Sequence, residues 1–292
     1  MRGATAARLL FLAAALAAGA ALGAVSCQHG TDAPVGDGGD GGEEVDACGI
    51  LFGTPNAFTG LGADQCRPEC ACGGTVFAPP VYSAAFIQAL VDGWQIATPY
   101  APLASDPYAG PAPVDDAPGV VCGVLPQGDA GAGPRPYTLV TYPTAAAAQA
   151  AGADVTHFGH CGVCSTLANL AVYMSHDDLV APVRTCGEEV DPDGGDGADV
   201  GCLMALGFDL PCAQAWAYDT AHTRSVCLSI CLSTPTTAYN EPDGALNPCI
   251  ACDEDQSGPV FKAVAGRTRR NSGIPNSICR PCSQVQPLVH DY

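Results

Sequence analysis

The densest chemistry in the chain is one nonapeptide, His157-Phe158-Gly159-His160-Cys161-Gly162-Val163-Cys164-Ser165. Two imidazoles precede a Cys-x-x-Cys whose second sulfur stands at an expected helix start. As a redox pair, such thiols are acidified by the helix N-terminus, which favours thiolate. As a metal site, His157, His160, Cys161 and Cys164 supply a mixed tetrahedral set. Cys249-x-x-Cys252 and Cys279-x-x-Cys282 repeat a zinc-ribbon spacing. The structural alternative makes every one of these cysteines a bridge to a distant segment and the histidines polar loop residues. The cysteine arithmetic and the export signal, both described below, tip the balance toward bridging, with no metal or other cofactor expected. A thiol-dependent enzyme or redox protein using Cys161 and Cys164, with His157 and His160 beside them, is the alternative function.

A second group is basic. Lys262, Arg267, Arg269, Arg270 and Arg280 fall within nineteen residues. Guanidinium forks match planar carboxylate, sulfate or phosphate, so the Arg267–Arg270 loop is a candidate contact for an anion or acidic glycan. The competing expectation is internal pairing with Asp253, Glu254 and Asp255 just upstream. The wider charge excludes one class of partner. Beyond residue 26 the chain keeps nine basic against thirty acidic residues, a formal charge of −21. A field of that sign opposes approach to nucleic acid.

The elements that must position these groups read as α+β, mainly helical with long loops. Gly and Pro account for 35 and 25 residues, so much of the chain must be loop. Ser83 to Trp94 has apolar residues at helical spacing. Tyr137 to Tyr142 is rich in β-branched and aromatic residues, which predicts a strand. Ala145 to Ala151 predicts a short helix. A helix from Ser165 to Met174 starts on Ser165 as its cap, and a longer one from Leu210 to about Leu232 starts on Asp209. On the latter, Cys212, Trp216, Cys227 and Cys231 share a stripe, and Cys227 and Cys231 are expected to fix different neighbours. A short helix should precede the arginine loop. The acidic run from Glu188 to Asp199 lacks an oxygen ligand at Gly195, the fifth place of a calcium loop begun at Asp191, and reads as solvated filler.

Of seventeen cysteines, Cys27 closes an export signal and sixteen remain, an even number that can all pair. Those are Cys48, Cys66, Cys70, Cys72, Cys122, Cys161, Cys164, Cys186, Cys202, Cys212, Cys227, Cys231, Cys249, Cys252, Cys279 and Cys282. Five precede the Pro/Gly-rich stretch 126–136 and eleven follow it, so full pairing requires at least one bridge across it. The expected product is a single covalently stapled unit. Residues 1–26 form a signal peptide, 27–47 a disordered acidic tether, and 48–292 a cysteine-rich globular domain with loops at 126–136 and 187–199.

Three resemblances bear on this reading. Arg2 and Arg8, the apolar run Leu9 to Leu22, and Gly23-Ala24-Val25-Ser26-Cys27 resemble the lipobox of bacterial lipoproteins. That implies cleavage before Cys27, lipid on its sulfur as the membrane contact, and, with Gln28 rather than Asp following, an outer-membrane location facing the periplasm or the surface. Gly159-x-Cys161-Gly162-x-Cys164 resembles the stretch around the papain-type nucleophile, but Phe158 stands where the oxyanion glutamine belongs and Ser165 where an aromatic does. The segment CGVCS with its helix, taken with CDEDQSGPVFKAVAGRTRRNSGI, resembles an uncharacterised family of cysteine-rich secreted proteins, which implies a shared fold for the C-terminal two-thirds and no activity. The protein or glycan partner is left unidentified by all three.

Overall fold

The computed structural model describes residues 49–72, 75–111, 116–128, 131, 133–188, 197–234 and 237–292. The signal, Cys27, the tether, Cys48, the side chain of Cys72 and most of the acidic run after Glu188 lie outside the described residues. In chain order the elements are β1 (Leu51–Phe52), β2 (Cys70–Cys72), β3 (Thr75–Phe77), α1 (Ala84–Asp92), β4 (Trp94–Ile96), β5 (Val121–Pro126), β6 (Arg135–Tyr142), α2 (Ala145–Ala150), β7 (Asp154–Phe158), α3 (Leu167–Ser175), α4 (Val180–Glu188), α5 (Gly197–Ala205), α6 (Leu210–Ser233), α7 (Pro248–Gln256), α8 (Gly258–Ala265) and β8 (Arg280–Pro281). The α+β, mainly helical expectation holds.

One four-stranded sheet, in the order β4-β6-β5-β7, supports the helices. β5 runs antiparallel to β6 and β7, while β4 is parallel to β6. The stretch 126–136 is thus the connection of a β5–β6 hairpin inside one sheet. The apolar strip of α6 and almost every side chain of α3 meet in the main core, where Leu167, Leu170, Leu203, Cys212 and Ala213 are fully enclosed.

Asp209 caps α6 as expected, its Oδ1 accepting from Cys212 N at 3.1 Å. Two helix boundaries differ from the sequence reading. The first helix stops at Asp92 because the Gly93 amide closes back on Ala89 O. Trp94 then leaves the helix to pair with Arg135 and to set its ring edge-on to Tyr137. The cap of α3 is Thr166, whose hydroxyl accepts from Asn169 N, because the Ser165 hydroxyl is engaged by His157 and Gly162 N. α5 also begins inside the predicted 187–199 loop.

Among the described residues seven disulfides staple this framework: Cys66–Cys279, Cys70–Cys282, Cys122–Cys161, Cys164–Cys212, Cys186–Cys202, Cys227–Cys252 and Cys231–Cys249. Every Cys-x-x-Cys reaches outward rather than within itself. Three bridges cross the 126–136 stretch, as the parity argument requires. Cys227 and Cys231 do not fix different segments. Both join α6 to α7, because four residues along one helix and three along its antiparallel neighbour keep the same faces opposed. The frame is of the disulfide-rich kind that persists in oxidising compartments. Among the described residues no helix is long and apolar enough to cross a membrane.

Candidate functional site

The nonapeptide is a structural joint. Cys161 is bonded to Cys122 and Cys164 to Cys212, so neither offers a thiol for catalysis or a thiolate for metal. This corrects the thiol-dependent alternative. His157 is fully buried, with Nδ1 3.0 Å from Phe158 O and Nε2 2.7 Å from Ser165 Oγ. Since a carbonyl can only accept, Nδ1 carries the proton and Nε2 accepts from the serine hydroxyl. Burial, then the Arg267 charge, pushes His157 well below its ordinary range and keeps it neutral. His160 lies 2.8 Å from an Asp116 oxygen through Nδ1 and 2.6 Å from Ala263 O through Nε2. Burial raises Asp116, but the bonds from the His160 amide and ring outweigh it and leave the carboxyl below the usual range.

The glycines of this joint matter for their missing side chains. A Cβ on Gly162 would stand 2.4 Å from Val264 O, and Gly266 adopts φ +72° against the same backbone. That contact lets Val163 N and Cys164 N donate to Val264 O and Ala265 O at 3.0 and 2.9 Å. CGVCS is thereby laid along the end of α8, immediately before the arginines.

The five candidate cations separate at this point. Arg267 is fully buried, and all five of its N–H groups are taken. Nε donates to Cys164 O, Nη1 to Thr156 O and Ser272 Oγ, and Nη2 to Thr156 Oγ1 and Ser165 O, at 2.5 to 3.2 Å. It stitches β7 to the joint and has no donor left for a ligand. Lys262, Arg269, Arg270 and Arg280 instead line one cavity of about 1120 Å³, walled by α4, α6, α7, α8 and the segment that follows. Arg184 and Arg224 line it too. Six of the nine basic residues beyond the signal therefore converge on one groove in a chain of −21. Sequence reasoning missed Arg184 and Arg224, which are remote from the arginine loop. The helical stripe Trp216, Thr220, Arg224 on α6 was the available clue.

Part of this charge is spent internally, as the upstream acidic run suggested. Glu254 takes Arg270 on one oxygen and Arg280 on the other, each at 2.5 Å. Arg269 is enclosed, with Nη1 donating to Pro275 O at 2.8 Å, Nη2 donating to His176 O and its guanidinium over Tyr173. Burial lowers its pKa to about 10. The Nε groups of Arg269 and Arg280 have no hydrogen-bond acceptor among the described residues. Lys262, Arg184 and Arg224 are exposed at the rim, and Arg270 is partly so.

The floor is acidic, and burial pushes two of its carboxyls toward the protonated form. Asp219 accepts from Tyr108 Oη at 2.7 Å. Burial, then the charge of Asp253, raises it well above the carboxylate range. Asp253 accepts from Thr223, and burial lifts it to about 6. Six basic side chains face five carboxyls, Asp116, Asp219, Asp253, Glu254 and Asp255, and with Asp219 held toward the protonated form the groove keeps a small positive excess inside an acidic protein.

A family model described as a family of unknown function, DUF8771, matches residues 196–288. The match runs from α5 through β8 and includes CDEDQSGPVFKAVAGRTRRNSGI, while CGVCS lies before it. It takes in Arg224, Lys262, Arg269, Arg270 and Arg280 but leaves Arg184 outside. Neither the curated proteins nor the solved structures contain a match to this chain.

Proposed function

We propose that this is an exported cell-envelope protein, lipid-anchored through Cys27 to the outer membrane, that binds an anionic ligand in the α6–α7 groove. The reading rests on one observation: two-thirds of the basic residues beyond the signal line a single cavity in an otherwise acidic chain. Charges gathered against the sign of the whole molecule focus a local field, and partial enclosure strengthens each contact. Seven bridges support an oxidising, extracytoplasmic setting, and the segment from Gln28 to Ala47 supplies a solvated spacer between lipid and body. Acidic glycans of the envelope are one source of such anions.

Equilibrium binding of a sulfated or carboxylated polysaccharide to the mature, oxidised protein tests this. Lys262→Glu with Arg224→Glu changes two exposed rim charges and leaves the buried Arg267 and Arg269 alone. The variant should fold and bind at least tenfold more weakly. Unchanged binding by a folded variant would remove the groove from the account.

A further inference from the structure

The groove has a gradient along α6 that charge alone does not explain. Following its lining residues from the N-terminal side, Trp216, Asp219 and Thr223 are succeeded by Arg224, then Leu228, then Leu232. The two bridges fix the other wall in opposite order. Asp253 and Glu254 stand level with Thr223, while Cys249 is tied to Cys231 and Leu246 lies beyond it. One end therefore gathers Arg270 and Arg280 on Glu254, with Asp253 beside it and Lys262 near Asp116, and the other is lined by Leu228, Leu232, Leu246 and Val180. Leu228 and Leu232 are 47% and 68% exposed. From Thr223, level with Glu254, to Leu232 the helix advances about 14 Å at 1.5 Å per residue, room for roughly ten carbons of an extended acyl chain before it passes Leu232 toward the open end of the groove. An apolar patch joined to a pocket with a few converging polar groups is the usual form of a small-molecule site. A sugar would want an open aromatic platform, whereas the Trp216 ring is turned inward against Phe261, 4.5 Å between centroids.

We infer that the ligand of this groove is a single-chain amphiphilic carboxylate, a long-chain fatty acid. Its head lies at the Arg270, Arg280 and Lys262 end and its tail along Leu228 and Leu232. This rests on the anion-binding reading above and adds the tail. Glu254 and Asp253 offset the two arginines, so the donors left for the head are Arg280 Nε, which has no acceptor among the described residues, and the exposed Lys262. The tail covers leucines that otherwise face water.

Trp216 lies in the groove and Trp94 does not, so the Trp94→Phe protein reports occupancy through a single indole. Titration of the full mature, oxidised chain with oleate should give saturable one-to-one binding. Oleyl alcohol, which lacks the charge, should bind at least tenfold more weakly, and acetate should give no response at the same concentrations. Leu228→Asn with Leu232→Asn, both at exposed positions, should keep the fold by circular dichroism, weaken oleate at least tenfold, and leave polysaccharide binding unchanged. Oleate binding no tighter than acetate, or insensitive to the leucine pair, overturns the amphiphile while polysaccharide binding still supports the charged groove. Binding of the polysaccharide alone identifies a glycan as the ligand and overturns the fatty acid. Loss of both responses overturns both readings.

Discussion

The two bridges that tie the ends of the described chain together should behave as a redundant lock. Cys66–Cys279 and Cys70–Cys282 close loops of 213 and 212 residues, yet their partners are only four and three residues apart. Whichever forms first removes the entropy of a loop of that length, about 5 kcal/mol in the chain-entropy account. The other then closes a ring of roughly seven residues and adds only about 2–3 kcal/mol. Removing either bridge as a pair, Cys66→Ala with Cys279→Ala or Cys70→Ala with Cys282→Ala, should therefore cost about 2–3 kcal/mol, whereas removing both should cost about 8. The sum of the single losses falls short of the joint loss by about 3 kcal/mol, which a double-mutant cycle resolves. Cavities left by the enclosed sulfurs of Cys66 and Cys279 add to the single and joint variants alike and cancel in that difference. Guanidinium unfolding of the four proteins, extrapolated to water, supplies the values. Additivity to within about 1 kcal/mol would refute the shared-loop reasoning.

Other expectations follow from single residues. Arg267→Met should destabilise by about 3–5 kcal/mol, because Thr156, Cys164, Ser165 and Ser272 lose five donors in a closed site; thermal unfolding reads this. A loss below about 1 kcal/mol would contradict the role given to its guanidinium. Asp253 has a raised pKa in the fold, so its contribution is complete below the ordinary carboxylate range and is lost as pH rises through about 6. Asp253→Asn should accordingly stabilise by about 1–3 kcal/mol at pH 7 and change little at pH 4. The same sign makes anion binding to the wild-type groove tighten as pH falls from 7 to 5. Peptide mapping without reductant should recover the seven bridges and, from the remaining cysteines of the sixteen, a Cys48–Cys72 peptide. Alkylation of either residue in the native protein would contradict full pairing.

The sequence carried much of the frame because local rules govern it. Asp209 followed by Leu210-Pro211 announces a helix start, the alternating YTLVTY announces a strand, and odd cysteine counts on either side of 126–136 demand a bridge across it. What failed was decided by competition between local and distant partners. Ser165 is as good a cap as Thr166 until His157 and Gly162 claim its hydroxyl. Trp94 fits a helical stripe until β6 offers it a backbone partner. The site was legible only in part for the same reason. The arginine loop is conspicuous as a run, but nothing local distinguishes Arg267, which points into the core, from Arg270, which points to the groove. That division depends on Thr156, 111 residues away, and on Glu254, sixteen residues upstream. Arg184 and Arg224 join the groove only because α4 and α6 pack beside α7.

Hydrogen exchange of the mature, oxidised protein with and without bound anion tests the central claim most directly, because it locates the contact without presuming it. The groove account predicts added protection in peptides covering 216–232, 249–256 and 266–286, and none on the β5–β6 hairpin. Protection that falls on the hairpin or the 49–77 segment, with the groove unchanged under saturating ligand, would contradict it.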